Sequence, residues 1–222
     1  MLIETVESDT VLETDICVVG GGAVGLSMAR LLAGSGLEIT VLEGGGREYD
    51  EVSQSLYVGV AEGTVLPMKS AYLTTSRLRH LGGSTGHWEG FCRPLDPIDY
   101  EVRDWVRDSG WQISAETLLP FEERAAELVE VAPFAASEEG EVETEAGVAP
   151  GKAGSRLLPP DAGFEASHIR RSPPTRFAER YAPELEASDS CRLHLNANVV
   201  EVVTDEAGAR VEHLEVVGGD GQ

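Results

Sequence analysis

Asp15-Ile16-Cys17-Val18-Val19-Gly20-Gly21-Gly22-Ala23-Val24-Gly25, running on to Ile39-Thr40-Val41-Leu42-Glu43, is the stretch that decides the fold. Ile16 to Val19 is short, apolar and β-branched, the pattern of a buried parallel strand. Gly20, Gly22 and Gly25 then spell G-x-G-x-x-G. Ala23, Leu26, Ala29, Leu32 and Ala33 recur near helical spacing, which predicts a helix over 23–33. Gly34 and Gly36 end it. Residues 38–42 predict a second strand, with Glu43 at its end.

Each glycine has a mechanical purpose. Gly20 permits the tight turn off the strand. Gly22, without a Cβ, lets backbone approach a pyrophosphate. Gly25 lets helix and sheet pack closely. The helix N-terminus, beginning at Ala23, offers free N–H groups and a positive dipole end to phosphates. Glu43 lies about 20 residues past the glycines, the spacing of an acid that binds an adenosine ribose. A carboxylate there suits ribose hydroxyls and opposes a 2′-phosphate. The motif is weak alone and strong in this order of strand, glycines, helix, strand and acid. FAD and NAD both satisfy it; its place near the N-terminus favours FAD. The plain alternative is a nucleotide-free glycine turn.

The chain has 222 residues, enough for one good core or two small ones. No apolar run reaches about 18 residues, so no membrane span is expected. Met1 to Thr14 is acidic and lacks the basic region of a signal peptide. Cys17, Cys92 and Cys191 fit neither zinc spacing nor a disulfide framework, so reduced thiols in a cytoplasmic protein are expected and no metal site. The formal net charge is −22, and Lys69 and Lys152 are the only lysines. That excludes nucleic acid and anionic membrane as partners. Acid excess with so little lysine resembles proteins of salt-loving organisms.

Further along, Gly44-Gly45-Gly46-Arg47 reads as a flexible turn, and Asp50 to Ser76 as a surface excursion with short pieces of structure. Arg77 to Trp88 carries Gly82-Gly83-Ser84-Thr85-Gly86 followed by His87. A small-residue loop of this kind lets backbone N–H groups approach an anion or a flat ring. Ser114 reads as an N-cap, and Pro120 as the first turn of a helix whose Phe121, Ala125, Leu128, Val129 and Ala132 face a core. Residues 135–155, rich in Glu, Ala and Gly, read as a flexible insert. Arg176 could meet a phosphate or pair with a carboxylate, the second being the plainer reading. Leu193 to Val203 reads as one strand and Arg210 to Val217 as its return, a β-hairpin over 192–218.

Gly20-x-Gly22-x-x-Gly25 with Glu43, then Leu81-Gly82-Gly83-Ser84-Thr85-Gly86-His87-Trp88, then Cys92-Arg93-Pro94-Leu95-Asp96-Pro97-Ile98-Asp99-Tyr100, resembles the glucose–methanol–choline (GMC) oxidoreductases. The sugar-oxidising branch, with pyranose oxidases and bacterial sugar dehydrogenases, is the nearest in pattern. Ser109-Gly110-Trp111, Ser172-Pro173-Pro174-Thr175-Arg176-Phe177 and Leu195-Asn196-Ala197-Asn198-Val199-Val200 continue the match.

The resemblance implies an α/β fold: a Rossmann-like FAD-binding domain with a parallel sheet (15–43), an irregular flavin-covering segment (77–111) and a C-terminal hairpin. It implies that Gly83 and Ser84 pack on the flavin and pyrophosphate. It places His87 where pyranose oxidases carry a histidine bonded to the flavin 8α-methyl and other members carry a non-covalent contact. It implies that Val200, with Val199 as close rival, meets the adenine edge through its backbone. The cofactor residues are then Gly20, Gly22, Ala23, Gly25, Glu43, Gly83, Ser84, His87 and Val200.

The implied activity is FAD-dependent oxidation of a CH–OH group in a sugar, polyol or other small alcohol, with an unassigned electron acceptor. Family members are more than twice as long. The resemblance therefore implies an N-terminal part without the substrate domain or the C-terminal catalytic base, inactive alone. No catalytic residue is expected within these residues. The alternatives are another FAD-dependent reductase or hydroxylase, for which no second dinucleotide motif is found, and a non-enzymatic nucleotide-binding module.

Overall fold

The computed structural model describes residues 1–60, 72–134, 141–144, 147–150 and 169–219. In chain order the elements are β1 (Leu2–Ile3), β2 (Ile16–Val19), α1 (Ala23–Leu32), β3 (Ile39–Leu42), α2 (Glu51–Ser55) and α3 (Tyr72–Thr75). A 3-10 turn (Gly83–Gly86) follows, then β4 (Phe91–Cys92), α4 (Pro97–Tyr100), α5 (Ala115–Leu128), β5 (Glu141–Thr144) and β6 (Gly147–Pro150). The last are β7 (Arg170–Arg171), α6 (Phe177–Glu186), β8 (Cys191–His194), β9 (Asn198–Thr204) and β10 (Val211–Val217). The chain divides into two compact units, one of residues 1–87 with 176–222 and one of residues 88–175.

The fold is α/β. The first unit is built on a four-stranded sheet in the order β1-β8-β3-β2, parallel throughout. β2, α1 and β3 form the βαβ unit that the periodicity predicts, with strand and helix bounds matching to within a residue or two. All four residues of β3 are buried, as expected of a central strand covered on both faces. α1 and α6 pack on each other and on the strands. Leu26, Ala29, Ile39, Leu185 and Cys191 are fully buried there. Each large side chain among them stabilises by about 1.5–3 kcal/mol.

Three elements differ from the sequence expectation. The acidic N-terminus supplies β1, which pairs Leu2 with Leu193 and Ile3 with His194. Its ammonium group donates to the Cys191 carbonyl at 2.8 Å. The single strand expected over 193–203 is two. β8 belongs to the parallel sheet and β9 to an antiparallel hairpin with β10. The chain turns between them at Asn196, whose φ is +54°, a left-handed conformation that asparagine tolerates. Pro120 lies inside α5 rather than in its first turn, because Ser114 caps a helix that starts at Ala115 and accepts the Thr117 N–H.

α5 belongs to the second unit, where it buries Ala126 rather than Ala125 and leaves Phe121 exposed. In that unit β4 pairs with β7, and Ser172 donates its N–H to Gly90 at 2.7 Å. Trp88 donates its indole N–H to the Thr175 carbonyl at 3.0 Å. Within the expected insert 135–155, β5 and β6 form a short antiparallel ladder. The remaining residues of that insert lie outside the described residues.

Candidate functional site

The site is assembled in the first unit, at the C-terminal ends of β2 and β3, where open α/β sheets bind their ligands. Gly20 leaves β2 with φ +103°, a conformation that suits glycine alone. A Cβ on Gly25 would overlap the Gly20 carbonyl oxygen and stand 3.1 Å from its carbon, so α1 starts directly against the turn. A Cβ on Gly22 would meet nothing within 4 Å. Gly22 is the helix N-cap and has no side chain to satisfy the free N–H groups behind it. These residues form a cradle that could hold an anion: a bare backbone approach, open space and a helix N-terminus.

The Gly82–Gly86 loop docks on this turn. Gly82 donates its N–H to the Gly21 carbonyl at 2.7 Å, and Gly22 and Gly82 form a parallel bridge. A Cβ on Gly83 would stand 3.2 Å from the Gly22 Cα. From behind, Thr85 accepts the Phe177 N–H on its hydroxyl at 3.2 Å. Arg176 donates to the Thr85 carbonyl at 2.7 Å, so it braces the loop through backbone. Ser84 and His87 are exposed at the loop's end, and His87 donates its N–H to the Ser84 carbonyl at 3.2 Å.

Glu43 is buried. Its Oε2 accepts the Gly21 N–H at 2.7 Å and its Oε1 accepts the Gly45 N–H at 2.8 Å. A carboxylate has about four lone-pair sites, so capacity for two hydroxyl donors is left. Gly20, Gly22, Ala23, Gly25, Glu43 and Gly83 thus come together on one turn-and-loop assembly. Val200 lies in β9. The β9–β10 register passes from Val199 opposite Val216 to Glu201 opposite Glu215, leaving Val200 as a bulge residue without a cross-strand partner.

The Gly44-Gly45-Gly46 segment is a packing surface rather than a flexible turn. The backbone of Arg79 and His80 lies where a Cβ of Gly45 would stand, and Leu81 donates to the Gly46 carbonyl at 2.9 Å. Gln54, expected at the surface, is 4% exposed and braces that backbone. Sequence reasoning missed Gln54, Tyr57, Arg79 and Asn198, which gather beside Gly44. The available signal was Arg77-x-Arg79 just before the glycine loop of an acid-rich chain.

Among the described residues no disulfide joins Cys17, Cys92 or Cys191, and burial pushes the Cys191 thiol up against the opposing N-terminal ammonium, so it stays protonated. His194 is 4% exposed, and its Nε2 has no hydrogen-bond partner. Burial, then the neighbouring Arg192 charge, lowers its pKa. Among the described residues no cluster of three or more His, Cys, Asp or Glu could hold a metal, and no helix is long and apolar enough to cross a membrane.

No protein-family model matches the chain, and no curated protein matches it. Among solved structures, the chain is similar to pyridoxine 4-oxidase from Mesorbium loti, at 17% identity and a TM-score of 0.49. That alignment covers 94% of this chain and 47% of the other, so the chain spans about half the length of that protein.

Proposed function

We propose that this chain binds FAD and forms the cofactor-binding part of an oxidoreductase acting on alcohols. The observation that carries this is the docking of the Gly82–Gly86 loop on the G-x-G-x-x-G turn. The cradle at Gly22 is then open to a pyrophosphate on one side and walled by glycine backbone on the other. A phosphate-binding turn alone fits any dinucleotide. A second small-residue loop pressed against it fits a dinucleotide that continues into a broad flat ring.

The α1 N-terminus receives the pyrophosphate, with Gly22 giving access and Ala23 starting the helix. Glu43 orients the ribose hydroxyls through its remaining lone pairs. The Val200 bulge offers backbone to the adenine edge. Gly83 and Ser84 cover the pyrophosphate end of the ring, and His87 is assigned to the ring itself. The bound flavin supplies the hydride acceptor, and the protein positions it and excludes water. The substrate class is a sugar, polyol or other small alcohol, the assignment that the GMC resemblance supports. No residue of this chain is assigned as the base that removes the hydroxyl proton.

The test is a visible spectrum of the purified protein, repeated on pellet and supernatant after acid precipitation. Flavin bands in the pellet mean a covalent bond, with His87 the residue to mutate, and bands in the supernatant reduce His87 to a contact. A protein that stays colourless and cannot be reconstituted with FAD overturns the proposal.

A further inference from the structure

We propose that Arg79 anchors the adenosine half of the bound dinucleotide, an inference that rests on the dinucleotide function proposed above. The backbone of Arg79 is fixed. Gln54 accepts its N–H at 2.9 Å and donates to the carbonyls of Thr74 and Arg77 at 2.6 and 2.7 Å. Gly45 leaves room for the Arg79 carbonyl, which a Cβ there would strike.

The side chain is held as firmly. Its guanidinium lies over the Tyr57 ring, 5.4 Å from the centroid, and donates to the Asn198 side-chain oxygen. It occupies the space that a Cβ on Gly44 would need, next to Glu43 at the end of β3.

No ion pair holds it among the described residues. The chain has 39 acidic residues against 17 Lys and Arg. Arg30, Arg47 and Arg192 pair with Glu184, Glu186 and Glu38. Among the described residues no carboxylate pairs with Arg79, and its buried Nε has no hydrogen-bond partner. Glu43, the residue before Gly44, holds the Gly21 and Gly45 N–H groups, one on each oxygen. A guanidinium with no carboxylate partner in so acidic a chain, fixed where an α/β sheet binds its ligand, calls for an acceptor from that ligand.

The guanidinium carries five donors and a flat face that stacks on rings. Adenine offers ring-nitrogen acceptors and a flat face of its own. Glu43 and Arg79 thus divide the adenosine: the carboxylate takes hydroxyl donors, and the guanidinium takes acceptor atoms of the base.

Calorimetric titration of ADP into wild type, Arg79→Gln and Gly44→Ala tests this. Gly44→Ala evicts the guanidinium without deleting it, since the atom it strikes ends a flexible side chain. It keeps the test decisive if Arg79→Gln fails to fold. Both variants are expected to lose about tenfold or more in ADP affinity while remaining folded without ligand. Wild-type ADP affinity in folded variants overturns the role of Arg79 and leaves the dinucleotide function standing. Tighter binding of adenosine 2′,5′-bisphosphate than of ADP by wild type overturns it in favour of a 2′-phosphate site. A wild type that binds neither ADP nor FAD overturns both.

Discussion

Oε2 of Glu43 accepts the Gly21 N–H at 2.7 Å, tying the carboxylate at the end of β3 to the glycine turn that leaves β2. Its other oxygen takes the Gly45 N–H. One buried side chain therefore sets the shape of two loops at the mouth of the cradle. Glu43→Gln keeps the volume but turns an amide donor towards one of those N–H groups. An unsatisfied buried donor costs about 1–3 kcal/mol. Urea denaturation of the variant is expected to show a loss of that size with an unchanged slope.

Gly25→Ala is expected to be more damaging than its one added methyl suggests. The new Cβ overlaps backbone at Gly20, which cannot swing aside as a side chain can. Overpacking of this kind costs about 1–3 kcal/mol or more. The same shift moves α1 away from the turn, so FAD affinity falls along with the melting temperature. Thermal melts with and without FAD check both effects.

The contrast between Gly25 and Arg79 shows what the sequence made legible. β2, α1 and β3 are signalled by neighbours a few residues apart: a β-branched run, a helical period and three spaced glycines. Their bounds follow from local chemistry. β1 is two residues long and pairs with a strand some 190 residues away in the chain, so nothing near Leu2 announces it. The break between β8 and β9 rests on one positive φ at Asn196 in a run that otherwise alternates like a single strand. Gly44 to Gly46 look flexible in sequence because glycine usually is. Here they are small so that residues 79–81 can lie against them. The cluster joins Arg79 to Gln54 and Tyr57 from one segment and Asn198 from another, and only the fold brings these together.

Acid is expected to weaken the fold through His194. Burial, then Arg192, lowers its folded pKa below the unfolded value of about 6.5. The unfolded chain therefore binds the proton more readily, and stability falls as pH drops from 6.5 through the folded pKa. His194→Leu removes that proton and the unpartnered Nε2. Its stability, followed by denaturant melts from about pH 7.5 to 5, is expected to vary less with pH than that of wild type. Equal slopes in the two proteins would exclude His194 as the source.

Salt is expected to stabilise this chain. A net charge of −22 repels itself in the compact state, and molar salt shortens the screening length to about 3 Å. The same salt weakens exposed pairs such as Arg30 with Glu184, each worth at most about 1 kcal/mol. With acids outnumbering bases 39 to 17, the relief of repulsion dominates. A melting temperature that stays level or falls between about 0.1 and 2 M sodium chloride contradicts this.

With a dinucleotide pyrophosphate over Gly22 at the start of α1, the deciding experiment is an FAD titration of wild type and Gly22→Val. The added Cβ meets nothing within 4 Å, so the ligand-free variant is expected to fold, losing at most about 1 kcal/mol at the N-cap. The same side chain fills the approach of the phosphates. Saturable binding of one FAD per wild-type chain is expected, and none by the folded variant. Equal FAD affinity in the two proteins would place the cofactor elsewhere and contradict binding at Gly22.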